Sequence, residues 1–255
     1  HCRGEYIIRC DADDLSHPER FAKQVAFMDA HPEIGMSGGA LQLFGDSDGI
    51  WKFPLDNDAC QAQAMFTTPV PDGASIIRRS VLERNGIGFK NAWPRVNADW
   101  LLMLDMAKVS RFGNIPDIVL SYRRGEQNIS AMGRSMEARR ETVHLALRHL
   151  GLDGTPEQVD AHLTCIGTIK PKTSDHVRTV HAWLETLEGI NASSGRSSKE
   201  AFRKMKVIIW RRLFFPLQDA VPKALWTYIK LNGGLPRDLA IYHFKVRISR
   251  LLGRK

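Results

Sequence analysis

Tyr6-Ile7-Ile8-Arg9-Cys10-Asp11-Ala12-Asp13-Asp14 is the stretch on which the fold of this 255-residue chain turns. An apolar, β-branched run ends in three carboxylates within four positions. In an extended segment, side chains at i and i+2 point the same way, so Asp11 and Asp13 are expected to project together from the strand end. Carboxylates crowded there repel one another unless a cation or a shared proton is present. A hard divalent metal with oxygen ligands, Mg²⁺ or Mn²⁺, relieves that repulsion and typically also holds phosphate. The plain alternative is a strand followed by an acidic turn, because Asp is common in turns.

Outward from the acids, Ser16-His17-Pro18-Glu19 predicts a helix start. Ser16 is the cap, Pro18 suits the first turn, and Glu19 closes a capping box. Phe21, Val25 and Met28 at helical spacing predict its buried face, and His31-Pro32 its end. Ile34 to Gly39 predicts a short buried strand entering a glycine turn. Leu41 to Phe44 and Ile50 to Phe53 bracket Gly45–Gly49 as a hairpin. Further helices are expected over 57–66, 98–107 and 135–150, the last burying Val143, Leu145, Ala146 and Leu150. A strand is expected from Ile118 to Tyr122. Two or three helices fill 156–232, interrupted by the polar stretch 191–198, the best linker candidate.

Hydrophobic content of 43% and charged content of 25% describe a globular chain rather than a disordered one. Its length suits one large domain, or one domain with a helical appendage. No stretch approaches the roughly 18 apolar residues of a membrane span, and no secretory signal precedes the first strand. The expected location is therefore cytoplasmic. Cys2, Cys10, Cys60 and Cys165 show no CxxC spacing and are expected to be reduced, buried packing residues. The Asn-x-Ser triplets at Asn128 and Asn191 are then chance matches. Residues 201–255 hold 13 Lys/Arg against 2 Asp/Glu, a net of +11, whereas the first 200 residues net −3. The basic character thus belongs to the tail. There Arg203-Lys204-Met205-Lys206 through Arg211-Arg212-Leu213-Phe214-Phe215 interleaves cations with apolar side chains. Such a pattern suits a peripheral helix on an anionic membrane surface, and a core helix with basic flanks equally well. No nucleic-acid motif accompanies it, so nucleic acid is not an expected partner.

Taken in order, several strings together resemble the middle of a family 2 glycosyltransferase. They are Gly4-Glu5-Tyr6-Ile7, Asp11-Ala12-Asp13-Asp14, Arg20-Phe21 with Gln24-Val25, and His31-Pro32-Glu33-Ile34-Gly35. Gly73-Ala74-Ser75 and Arg78-Arg79-Ser80-Val81-Leu82 continue the series. Asp99-Trp100, Gly113-Asn114-Ile115-Pro116, Tyr122-Arg123 and Asn128-Ile129-Ser130 complete it. The resemblance covers about residues 4–130. It implies an α/β fold: a partial GT-A (Rossmann-like) nucleotide-diphospho-sugar transferase domain over 1–133, followed by a mainly helical, basic extension over 134–255. By the resemblance, Asp13 is the foremost metal ligand, Asp11 sits near the nucleotide ribose or the metal shell, and Asp14 supports them. Asp99 is placed as the catalytic base of an inverting transfer, at a helix start that suits a carboxylate. The implied cofactor is Mg²⁺ or Mn²⁺. The implied partners are a nucleotide-diphosphate sugar, a UDP-sugar foremost, and a glycan or lipid-linked glycan acceptor. The basic tail adds a peripheral position on the inner face of the cell membrane.

This sequence departs from the family pattern at Ala98, where a Glu commonly precedes the base. It departs again at Gly125 and Asp72, where histidines are often found. Family members also begin with a strand and turn that bind the nucleotide base, so further sequence of that kind is expected before His1. Without it the chain is expected to be inactive alone, or a fragment of an active enzyme.

Two other readings compete. In a haloacid-dehalogenase-type phosphatase, Asp11 would be the nucleophile and Asp13 the acid. That family wants Gly-Thr or a similar pair where this chain has Asp14-Leu15, and Gly45-Asp46-Ser47-Asp48 comes too early for its late acidic motif. The second is a degenerate, non-catalytic transferase-like binding module, which Ala98 and Gly125 favour. His17 is assigned a loop or first-turn role. His144 and His149, five apart, make no helical metal pair and are expected to be solvated or capping.

Overall fold

Gly38 and Gly39 lie inside the longest run of backbone pairing in the protein, not at a turn. In the computed structural model, which describes residues 2–125, 135–220 and 222–251, strand β3 runs unbroken from Ile34 to Gly45. A Cβ at Gly38 would lie 2.6 Å from Pro71 Cδ, and one at Gly39 would lie 2.8 Å from Val119 Cγ1. Both glycines are there to admit close neighbours. The expected glycine turn is thus a continuous strand, and the expected hairpin follows it. Strand β4 (Gly49–Trp51) pairs back on β3 with Leu41 opposite Trp51.

Parallel to β3 lies β6 (Arg111–Arg124), which starts seven positions before the apolar run that announced it in the sequence. Its register slips between Gly38/Asn114 and Ala40/Ile118, and Pro116 falls in the skipped part, where no ladder donor is needed. Strands β1 (Tyr6–Ile8), β2 (Leu15–Ser16) and β5 (Ile76–Arg78) complete a mixed sheet of order β1-β5-β3-β6-β2, with β4 branching from β3. Only β3 and β6 run parallel; the other pairs are antiparallel.

Helix α1 (Arg20–Ala30) differs most from expectation. Its first residue is Arg20, with Glu19 as an N-cap that makes no side-chain cap bond, and Ser16 belongs to β2. Phe21 is 51% exposed, while Arg20, Gln24 and Met28 are buried. The helix turns a polar i, i+4 pair inward, and an apolar-only count cannot see that face. Helices α2 (Asn57–Ala64), α4 (Ala98–Met106) and α5 (Met136–His149) follow the expected positions, whereas α3 (Arg79–Asn85) forms where no helix was expected. Asp56 caps α2 by accepting from the Ala59 N–H at 2.9 Å. Gly86 ends α3 at φ +59°, a left-handed position that favours glycine. On α5 the buried apolar residues are Val143, Ala146 and Leu147, with Leu145 only half-buried. Thr142 of α5 donates to Val96 O at 2.8 Å, tying the helix to the segment that leads into α4.

The chain divides into two compact units, residues 1–154 with 191–205, and residues 155–190 with 206–255. In the second, α6 (Pro156–Cys165) opens with a full capping box between Thr155 and Gln158. Helices α7 (Ser174–Ser194), α8 (Lys199–Ala220), α9 (Pro222–Leu231) and α10 (Arg237–Leu251) follow. Trp210 of α8 stacks on Tyr228 of α9 at 4.9 Å between ring centres, against Phe214. The α/β class and the helical C-terminal part are both present, with four helices over 156–231 where two or three were expected. Among the described residues no helix is long and apolar enough to cross a membrane. The family string at Asn128-Ile129-Ser130 lies outside the described residues.

The polar stretch 191–198 is not a loose linker. Asn191 is 2% exposed and lies in the last turn of α7. Its Nδ2 donates to Ser197 O at 3.1 Å, and its Oδ1 accepts from Ser197 N at 3.0 Å and Oγ at 2.9 Å. A buried Asn cannot serve as a glycosylation acceptor in the folded chain, which agrees with a chance triplet. Of the cysteines, Cys60 and Cys165 are buried as expected, but Cys2 and Cys10 are exposed. Replacing Asn191 by Ala would strand the Ser197 donor and acceptor together. Urea unfolding of Asn191→Ala is expected to show a loss of about 2–3 kcal/mol. A loss below about 0.5 kcal/mol, the range of ordinary surface changes, would mean that this turn holds nothing.

Candidate active site

The acidic cluster sits on a turn past the strand rather than on the strand itself. β1 stops at Ile8, and Arg9 N–H donates to Ser75 O at 3.0 Å. The chain then turns through Asp11 to Asp14, closed by an Asp14 N–H to Asp11 O contact of 3.4 Å. The i, i+2 projection expected of an extended strand therefore does not apply. Gly73 supplies the meeting point instead. A Cβ there would lie 2.6 Å from Asp11 Oδ2 and 3.6 Å from Asp14 Oδ2. Asp11 and Asp13 are exposed, and Asp14 is half-buried. Burial raises the Asp14 carboxyl; the Arg123 N–H opposes this, while Asp13 and Asp11 add to it. That N–H donates to Asp14 Oδ1 at 2.9 Å, and Arg123 Nε donates to Asp13 O at 3.0 Å, so the end of β6 holds the turn.

Two more carboxylates share the field of this turn. Asp72, in the short 3-10 turn 72–74, pairs with Arg9 at 2.6 Å. Burial pushes its carboxyl up to about 7, against the lowering effect of Arg9, with Asp99 and Asp11 raising it further. Asp99 occupies the first turn of α4, immediately after Asn97, whose φ of 57° is left-handed. Burial raises Asp99 as well. The Trp100 N–H and Arg9 favour its ionised form, and Asp11 disfavours it. The structure thus places Asp11, Asp72 and Asp99 in one electrostatic neighbourhood with Arg9 among them. His17 takes the loop role assigned to it, with Nε2 3.1 Å from Ser121 Oγ. His149 is not solvated: it lies half-buried between Lys108 and Asp105, and burial lowers its pKa.

Several of these groups escaped the sequence. Arg9 sits inside the quoted run, yet an isolated Arg beside acids carries no spacing signal. Asp72 stood out only as a departure from a family pattern. Arg20 is 1% exposed and supports the turn from beneath. Its Nη2 donates to Arg9 O at 2.6 Å, its Nη1 to Ser16 Oγ at 3.0 Å and Cys10 Sγ at 3.2 Å, and its Nε to Gln24 Oε1 at 3.0 Å. Gln24 in turn donates to Ala74 O at 2.7 Å, fixing the loop that carries Asp72 and Gly73.

Among the described residues no group of three or more His, Cys, Asp or Glu side chains could by itself hold a metal ion. The donor set nonetheless fits a small hard cation that takes one or two carboxylates and completes its shell with phosphate and water. Asp14 Oδ2 is buried without a hydrogen-bond partner, beside the bare backbone of Gly73 and the Asp11 carboxylate. Such an orphaned acceptor next to a second carboxylate favours a cation at this place.

Residues 1–86 match the family described as Glycosyl transferase family 2. The amylovoran biosynthesis glycosyltransferase AmsE of Erwinia amylovora is 25% identical over 131 residues, 51% of this chain and 48% of that protein. An uncharacterized glycosyltransferase of Haemophilus influenzae is 28% identical over 160 residues, 60% of this chain and 58% of that protein. The chain therefore spans about half the length of the curated relatives it matches. A crystal structure of S. aureus TarS 1-349 in complex with UDP-GlcNAc superposes at a TM-score of 0.49 and 15% identity, covering 83% of this chain and 67% of that one. Sequence similarity to glycosyl transferase family 2 thus lies over residues 1–86, which carry the acidic turn, Asp72 and Gly73.

Proposed function

We propose that the protein moves a sugar from a nucleotide-diphosphate sugar, a UDP-sugar foremost, to a hydroxyl of a glycan or lipid-linked glycan, with inversion. The observation that supports this most is the shared neighbourhood of Asp11 on the acidic turn and Asp99 at the head of α4. A transfer needs a diphosphate end and a proton-accepting end within one site. In this reading Asp11 and Asp13 hold Mg²⁺ or Mn²⁺ and Asp14 supports them, with the donor's diphosphate completing the shell. Bound there, the ion supplies charge stabilisation for the departing nucleoside diphosphate.

Asp99 takes the acceptor hydroxyl proton as that oxygen bonds to the anomeric carbon. The bond from that carbon to the diphosphate breaks on the opposite face, and one displacement inverts the centre. Arg9 keeps Asp72 and Asp99 from facing each other uncompensated. We assign the transferase part to residues 1–133 and the basic helical extension to 134–255. The extension's charge places the protein, in this proposal, on the inner face of the cell membrane through residues 201–255.

Nucleoside diphosphate release from a panel of nucleotide sugars provides the assay. Asp99→Asn is expected to lower kcat on the order of 10²-fold or more while leaving the fold intact by circular dichroism. Turnover unaffected by that change would remove Asp99 from the chemistry and favour a non-catalytic binding module. The base must be ionised to act, and burial raises its pKa. Activity should therefore fall as pH is lowered, with the acid limb of kcat/KM above the ordinary carboxylate range of roughly 4. A limb at the ordinary value would contradict the burial argument. Chelation by EDTA should abolish turnover and added Mn²⁺ or Mg²⁺ restore it, whereas full activity in EDTA would exclude the metal role of Asp11 and Asp13.

A further inference from the structure

The second compact unit contains a cleft of about 340 Å³ whose lining mixes two cations with apolar walls. That volume falls in the range of small-molecule sites. Ile169, Leu213, Phe215 and Pro216 supply the walls, and Lys170 and Arg212 the charge. Among the described residues no carboxylate lines it. Some other cations of this unit are matched by carboxylates. Lys206 is held by Glu185 at 2.7 Å and Glu188 at 2.5 Å, and Arg211 is paired with Asp238. Lys170 and Arg212 are exposed and have no ion-pair partner among the described residues.

Apolar surface continues outward from the cleft. Phe215 is 42% exposed, and its ring meets Tyr242 of α10 edge-on at 5.4 Å. Tyr242 is itself 43% exposed, and Ile241 beside it 47%. Two cations without an ion-pair partner among the described residues and an apolar exit complement an anionic amphiphile. They do not suit a sugar, which needs many polar partners, nor a nucleobase, which needs a stacking slot.

We propose that this cleft seats the headgroup of an anionic phospholipid in a bilayer. The phosphate sits at Lys170 and Arg212, and the chain lies along Leu213 and Phe215 toward Tyr242. Its test needs no turnover, so it stands or falls separately from the sugar-transfer reading. Flotation of the intact protein with phosphatidylcholine vesicles, with and without phosphatidylglycerol, measures it. Binding is expected only with phosphatidylglycerol. The Lys170→Glu/Arg212→Glu double variant should weaken it on the order of 100-fold, since each basic group near such a surface counts for about a factor of five to ten. Phe215→Ser should weaken it severalfold, with near-ultraviolet dichroism showing that each variant is folded. A matched charge reversal at residues that do not line the cleft, Lys52→Glu/Arg84→Glu, should change binding less than about threefold, because a seated headgroup is held by the two lining cations. An equal loss in that control would reveal diffuse attraction and overturn the site. Binding to phosphatidylcholine alone, or no binding to either vesicle, would overturn it too. So would inorganic phosphate displacing short-chain phosphatidylglycerol at equal concentration, since the apolar walls would then contribute nothing.

Discussion

A guanidinium buried beneath the acidic turn is the constraint on which the site's geometry rests. Arg20 is 1% exposed, and burying a charge costs several kcal/mol unless every donor is used. Here the donors fan out to Arg9 O, Ser16 Oγ, Cys10 Sγ and Gln24 Oε1. These partners come from both sides of the Asp11–Asp14 turn and from α1, so the turn is fixed at its two ends from one point. Gln24 extends the grip to Ala74 O and thereby to Gly73, against which Asp11 and Asp14 converge. A lysine would bring the charge without the planar fork and could not reach these directions together. The positive charge also faces Asp14 and Asp11, so the support is electrostatic as well as geometric.

The carboxylates above it are held at a cost. Asp14, Asp72 and Asp99 are all raised by burial, and Asp11 adds to each shift. Folding on stability grounds alone would spread these acids apart or bury apolar groups in their place. Arg9 lowers both Asp72 and Asp99, and it is itself occupied by the 2.6 Å pair with Asp72. A site that retains unrelieved repulsion is one in which a bound cation, or a proton in transit, stabilises the occupied state. Ala98 and Gly125 stand where the family resemblance leads one to expect a Glu and a His, so the proposed transfer would lean the more on Asp11, Asp13 and Asp99.

Much of this was legible wherever period and punctuation act alone. The abrupt end of Tyr6-Ile7-Ile8 and the His31-Pro32 stop after α1 are local devices, and the structure uses them locally. The failures share one cause, which is tertiary context. Gly38 and Gly39 looked like a turn because a glycine pair is permissive, but the space they leave is taken by Pro71 and Val119 from distant segments. The inward face of α1 escaped because Arg20 and Gln24 count as solvent residues until their partners are known. Asn191 and Ser197 looked like linker for the same reason, and bury one another's polar groups instead. The acidic turn could be found in the sequence. Arg9, Arg20 and Asp72 could not, because their roles lie in distances across 60 residues and more of chain or in bonds to backbone.

The basic tail posed a choice between core helix and lipid-facing helix, and α8 shows that the choice was ill-posed. Phe202, Met205, Ile209, Leu213, Phe214 and Leu217 of that helix are buried, whereas Val207 and Ile208 are 50% and 46% exposed. One stripe is core in the ordinary way, since residues three and four apart share a face. The other keeps apolar side chains in water beside cations. Scattered exposed apolar residues need no explanation, but exposed aromatics gathered beside unmatched charge do. What separates the two faces is how charge is neutralised. Lys206 lies against Glu185 and Glu188, and Arg211 against Asp238, within the same unit. Arg212, one residue on, opens onto the cleft with no acid lining it. Among the described residues of this stretch, cations held by carboxylates thus stand beside one that faces an acid-free cleft lining.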